Sequence, residues 1–164
     1  MLQKKICMLG ATAVGKTSLV RRFVESIYSD EYHTSVGVKI DRKPVRVKEK
    51  DLVMVLWDIY GADEFQSLRM DYLNGMFGYL LVADGTRKST INDALTIQES
   101  VAKDFAKIPF VFLLNKADLK DEWEAGADLE QNLTARGWTV MHSSAKTGEA
   151  VEEAFHTLGE KMLR

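Results

Sequence analysis

The chain has 164 residues, 46% apolar and 28% charged, with 22 basic residues nearly balancing 24 acidic ones to a net charge of −2. That length suits one domain, residues 1–164, with a sizeable core, and the charge balance argues against a polyanionic partner such as nucleic acid. No run approaches the ~20 apolar residues of a membrane span, and a lone cysteine, Cys7, excludes an internal disulfide framework.

The opening "MLQKKICMLG" has too short an apolar stretch for a secretory signal. Together with the lone cysteine, it gives the expectation of a cytoplasmic protein. "ICMLG" reads as a buried strand, in which Cys7 is a small core residue, and "GKTSLVRRFVES" as a helix opened by glycine. "VKIDRKPVRVKEKDLVMVLWDI" reads as two strands joined by the charged turn "KEKD", and Pro44 suits the first of them to a sheet edge. "YLLVAD", "FVFLLNK" and "TVMHSSA" are further short apolar runs ending in polar residues, as in a parallel sheet covered on both faces. Between them, Ile91, Ala94, Leu95, Val101, Ala102 and Phe105 share one helical face, as do Val151, Ala154, Phe155, Leu158 and Met162. Leu129 and Leu133 mark a shorter helix before Gly137. The expected fold is α/β: a doubly wound, mostly parallel sheet of six strands with about five helices.

Ligands of such sheets sit at the carboxyl ends of the strands, and four polar clusters fall there. "GATAVGKT", Gly10 to Thr17, fits the P-loop pattern between a strand and a helix. Backbone N–H groups from Ala13 to Ser18 would surround phosphate oxygens, Lys16 would reach the β- and γ-phosphates, and the Thr17 hydroxyl would bind Mg²⁺. "NKAD", Asn115 to Asp118 with Leu119 following, comes at the end of the apolar run "FVFLL", about a hundred residues after the phosphate loop. The Asp118 carboxylate can accept from both N1–H and the 2-amino group of guanine, a donor pair that adenine lacks. Asn115 would tie base and phosphate loop together, and the Lys116 stem would cover the purine face. "SSAKTGE" follows the last strand. The Ala145 N–H can donate to guanine O6, with Ser144 and Lys146 nearby; alternatively the serines cap the last helix. The fourth cluster is "WDIYGADEF" with "YHTSVGV" upstream, where Asp58 would hold Mg²⁺ through water and the Gly61 N–H would meet a γ-phosphate.

Together, "GATAVGKT", "SVG", "WDIYGADEF", "NKAD" and "SAK" resemble the Ras-superfamily small GTPases over essentially the whole chain, in the family's order. "YSDEYHTSVGVKI", "WDIYGADEF" and "VADGT" lean toward the Rab-like branch. The resemblance implies GDP or GTP with Mg²⁺ as cofactors and two switch segments that reorder around the γ-phosphate. It implies effectors at both switches, with an exchange factor and an activating protein as further partners. It places Tyr28 against the guanine edge, Tyr32 as a lid over the phosphates, and Ser35 as a second hydroxyl ligand of Mg²⁺; a frame using Thr34 is the alternative. Lys16 and Gly61 carry the catalytic contacts.

Two residues depart from the family. Ala62 stands where a glutamine usually orients the attacking water, and it has neither donor nor acceptor. Tyr60 puts a ring where a small residue is usual. The expectation is a guanine-nucleotide switch with slow intrinsic hydrolysis; a non-hydrolysing scaffold that recruits effectors is the alternative, and a permanently held structural nucleotide a third. His33, His142 and His156 lack metal-ligand spacing. The end "EKMLR" carries no cysteine for prenylation and the start no glycine for myristoylation, so no intrinsic membrane anchor is expected.

Overall fold

The computed structural model describes residues 1–25, 37–60 and 70–164, and of Tyr60 the backbone alone. In chain order the elements are β1 (Leu2–Gly10), α1 (Lys16–Glu25), β2 (Gly37–Val47), β3 (Lys50–Tyr60), β4 (Met76–Asp84), α2 (Lys88–Phe105), β5 (Phe110–Asn115), α3 (Ala127–Ala135), β6 (Val140–His142) and α4 (Val151–Met162). Short 3₁₀ turns cover Met70–Leu73 and Ala117–Glu122. The strands form one six-stranded sheet in the order β2-β3-β1-β4-β5-β6, and only β2 against β3 is antiparallel. The expected mostly parallel, doubly wound sheet is what the chain forms.

β1 has β3 on one side and β4 on the other, so the winding direction reverses there. Its carboxyl end, at Gly10, is therefore the crevice in which such sheets bind ligands. Ile6 and Met8 point to one face, packed with Leu56, Leu80, Leu113 and the α1 and α4 side chains Leu19, Phe23, Phe155 and Leu158. Cys7 and Leu9 point to the other, with Leu81, Phe112, Leu114 and the helical residues Ile91, Ala94, Val101 and Leu133. Both faces being covered explains why the strands read as continuous apolar runs. Phe23 and Phe155 stack at 3.9 Å between centroids and join α1 to α4 across the first face. Burial pushes the Cys7 thiol up to about 12 despite the nearby Lys5 charge, so it stays protonated as the small core residue expected.

β1 starts at Leu2, earlier than its apolar run suggests. Lys4 and Lys5 alternate across the sheet and lay their ammonium groups over the Phe77 and Trp57 rings at 3.9 and 3.6 Å, contacts that apolar periodicity cannot register. Pro44 falls on the edge strand β2, as expected. In the β2–β3 turn, Lys48 and Glu49 both take positive φ, 48° and 66°, as in the primed hairpin turns whose twist matches the flanking strands. Among the described residues no helix is long and apolar enough to cross a membrane.

Where β1 becomes the following loop, Gly10 has φ +153°, and a Cβ there would stand 2.3 Å from the backbone oxygen of Val82. Two backbone segments in adjacent strands would have to part. Gly10→Ala should therefore lower unfolding stability by about 3 kcal/mol, read as a shift of the urea midpoint at unchanged slope.

Candidate functional site

The loop from Gly10 to Gly15 is held carbonyl by carbonyl. Lys16, buried at 5% exposure, donates from Nζ to the Gly10 and Ala11 carbonyls at 2.9 and 3.0 Å. Arg87 Nη2 donates to those of Thr12 and Ala13 at 3.1 and 3.0 Å. Lys116 Nζ adds a second donor to Ala13 at 3.2 Å, and Asn115 Nδ2 takes the Val14 carbonyl at 2.9 Å. A trans peptide directs its C=O and the following N–H to opposite sides. The Thr12, Ala13 and Val14 carbonyls, so anchored, turn the amides of residues 13–15 away from Arg87 and Asn115, toward the loop's concave side. Ala13, in the left-handed region at φ 63°, and Gly15, at φ 105°, supply the curvature. Such a row of convergent N–H groups leading into the N-terminus of α1 is an anion cradle. A Cβ at Gly15 would meet Asn115 Nδ2 at 2.2 Å, so only glycine lets the loop sit this close to β5.

The donors are themselves positioned by Asp84, the last residue of β4, at 1% exposure. Thr86 donates to its Oδ1 through both N–H and Oγ1, at 2.9 and 2.6 Å. Arg87 Nε and Lys116 Nζ both reach Oδ2 at 2.9 Å. Burial alone would raise the Asp84 pKa, but the hydrogen bonds from Thr86, Lys116 and Arg87 outweigh it and hold the carboxyl below the usual aspartate value. A depressed folded-state pKa gives stability that is complete above the unfolded value, about 3.9, and lost as pH falls through the folded one. Asp84→Asn should thus be less stable than wild type by about 1–3 kcal/mol at neutral pH. The gap should stay constant down to about pH 5 and shrink below about pH 4, as urea denaturation across that range would show.

The other side of the crevice is built from the turns after β5 and β6. Lys116 takes a left-handed conformation, φ 70°, which turns the chain sharply into the 3₁₀ turn carrying Asp118. Ser143 and Ser144 are both fully buried. Ser143 donates to Asn115 Oδ1 at 3.2 Å and Ser144 to Asp118 Oδ1 at 2.7 Å. Ala150, at the start of α4, has no side-chain cap. Both serine hydroxyls thus serve the crevice and not the last helix. Arg22 of α1 braces the same turn, donating from Nε to the Ala145 carbonyl at 2.8 Å and from Nη2 to that of Lys146. Between these turns lies a cavity of about 200 Å³, lined by Gly15, Ser18, Asn115, Lys116, Asp118, Leu119, Ala145 and Lys146. It carries a carboxylate at one end and opens onto the phosphate-binding loop.

Beyond that loop, Thr17 Oγ1 donates to Asp58 Oδ2 at 2.5 Å, and Asp58 is fully buried at the end of β3. A hydroxyl and a carboxylate brought together beside an anion cradle are the hard oxygen donors that Mg²⁺ prefers. The donor set therefore fits that ion.

Of the residues expected at the site, Ala13, Val14, Gly15, Lys16, Thr17, Ser18, Asp58, Asn115, Lys116, Asp118, Leu119, Ser144, Ala145 and Lys146 come together at this one end of the sheet. Tyr28, Tyr32, Ser35 with its alternative Thr34, Gly61 and Ala62 lie outside the described residues, as does His33. Four residues that motif reading passed over also shape the site: Arg22, Asp84, Arg87 and Glu124. Glu124 Oε1 accepts from the Lys88 N–H at 2.8 Å, while the Glu124 and Ala125 N–H groups bond the Gly85 carbonyl at 2.8 and 3.1 Å. The segment after Asp118 is so fastened to the start of α2. Trp123 packs over Gly85, where a Cβ would meet its ring at 2.1 Å, and against His142, and so belongs to the core. An aspartate at a strand end followed by a glycine and a cation, as in "DGTR", was the available signal for this junction.

The family model described as Ras family matches residues 5–164. With the match running over nearly the whole chain, and with the phosphate cradle and the crevice beside it at one end of the sheet, the chain belongs to the Ras family of GTP-binding switch GTPases, which bind guanine nucleotide together with Mg²⁺.

Proposed function

We propose that the chain is a single-domain guanine-nucleotide switch whose unaided hydrolysis is slow. The observation that carries the binding reading is the joined crevice: five carbonyls anchored from Gly10 to Val14 beside a cavity lined by Asp118. Amides from Ala13 to Ser18 and the Lys16 ammonium would take the phosphates, and Asp118, oriented by Ser144, would accept from guanine. Ala145 would offer its N–H to the base, and the stem of Lys116 would lie along it. Thr17, Asp58 and Ser35 would hold Mg²⁺, which neutralises phosphate charge when bound. Gly61 would meet the γ-phosphate, Tyr28 the guanine edge, and Tyr32 would cover the phosphates. The Rab-like leaning of "VADGT" and of the segment "YSDEYHTSVGVKI" supports effector recognition at the two switches, in signalling in the cytoplasm, with exchange factors and activators as partners.

Ala62 supports slow turnover, because its methyl group cannot aim a water. The same residue favours a second reading, a scaffold that stays loaded and recruits effectors without turnover. Single-turnover GTP hydrolysis, alone and with candidate activating proteins, separates them. Slow release accelerated by an activator supports the switch, whereas hydrolysis that no activator stimulates supports the scaffold. Rapid unaided hydrolysis contradicts both.

A further inference from the structure

We propose that Arg87 is a positioning residue for the phosphate-binding loop, which it holds in register from outside every nucleotide motif. The inference rests on the guanine-nucleotide reading and deepens it. The loop's carbonyls are divided among four side chains. Lys16, at the start of α1, takes Gly10 and Ala11; Asn115, on the base side, takes Val14. The crest, Thr12 and Ala13, goes to Arg87, which stands more than seventy residues away at the start of α2, and Lys116 shares Ala13 with it. Its planar fork suits the task. Nη2 spans both crest carbonyls while Nε is pinned at 2.9 Å to Asp84, a carboxylate with 1% exposure at the rigid end of β4. A lysine is a point charge on a flexible stem and cannot hold both the strand end and two carbonyls in fixed directions. With the crest carbonyls fixed, the Ala13 and Val14 N–H groups are aimed before ligand arrives, and pre-aimed donors raise affinity by removing an ordering cost. Asp84 also holds Lys116, which covers the base side, so the same carboxylate links both halves of the crevice.

The experiment compares wild type, Arg87→Ala and Arg87→Lys in equilibrium binding of GDP, GMP and IDP, with melting of the nucleotide-free proteins. Arg87→Ala removes one hydrogen bond from the buried Asp84 carboxylate, which keeps those of Thr86 and Lys116, so the nucleotide-free protein should stay folded with a melting temperature modestly below wild type. Arg87→Ala should weaken GDP binding ~10-fold and reduce the preference for GDP over GMP by a similar factor. Its preference for GDP over IDP, which lacks the 2-amino group, should not change, because that choice is made at Asp118. Arg87→Lys should recover only part of the loss. Unchanged GDP affinity in Arg87→Ala overturns the proposal. So does a parallel fall in both preferences, the mark of general loosening, or full recovery with lysine, which would make the effect one of charge alone. Wild type that binds no GDP would instead overturn the nucleotide reading beneath it, and this proposal with it.

Discussion

Asp118→Asn should weaken GDP binding by ~10²- to 10⁴-fold while leaving the protein folded. Two charge-assisted hydrogen bonds to guanine would be lost or reversed, at about 1.5–3 kcal/mol each. The orientation of the new amide is decided by Ser144, which donates to Oδ1 of the native Asp118 at 2.7 Å. Its hydroxyl would keep the oxygen of that amide on its own side, and so turn the NH₂ toward the ligand. That NH₂ opposes the 2-amino group of guanine but can donate to the 2-oxo group of xanthine. Affinity for xanthosine diphosphate should therefore rise as affinity for GDP falls. Competition binding with GDP, XDP and ADP measures both changes at once. A variant that binds GDP as wild type does would remove Asp118 from base recognition.

Ala62→Gln should raise the single-turnover rate of GTP hydrolysis by ~10- to 100-fold with GDP affinity unchanged. A side-chain amide both donates and accepts, so it can orient a water and meet developing charge, an effect typically worth ~10²-fold or more for one well-placed donor. The gain should appear in the chemical step alone, since binding rests on the loop and the base turns. Phosphate release after Mg²⁺ addition to GTP-loaded protein measures the first, and GDP competition the second. No gain in rate would mean that something besides position 62 limits turnover, with the bulky Tyr60 as the next residue to replace.

Local pattern made much of this molecule legible in its sequence. Both cores follow from strands apolar on two sides, and the hairpin, the edge position of Pro44 and the helical faces followed from spacing. The glycine-rich loop and "NKAD" could be recognised because each packs its chemistry into a few consecutive residues at a strand end. What stayed hidden acts across the chain. Arg22 reaches Ala145 and Arg87 reaches Thr12, yet in sequence one is only a cation on a helix and the other a cation before one, where a solvated role is the ordinary reading. Asp84 looked like the polar end of a strand until Thr86, Arg87 and Lys116 were seen to converge on it. The serines of "SSAK" had two readings in sequence, and burial beside Asn115 and Asp118 decides between them. Lys4 and Lys5 hid the start of β1 because their ammonium groups find aromatic faces, which no hydrophobic period records.

The most direct test of the account is the nucleotide carried by the purified protein. Protein prepared in Mg²⁺ without added nucleotide would be denatured, and the supernatant resolved by anion-exchange chromatography and mass spectrometry; any empty fraction would be titrated with GDP, GTP and ATP. GDP or GTP is expected near one equivalent, or else micromolar or tighter binding of both guanine nucleotides with ATP excluded. An adenine nucleotide in the site, or no measurable binding of GDP or GTP at micromolar concentration, would contradict the account.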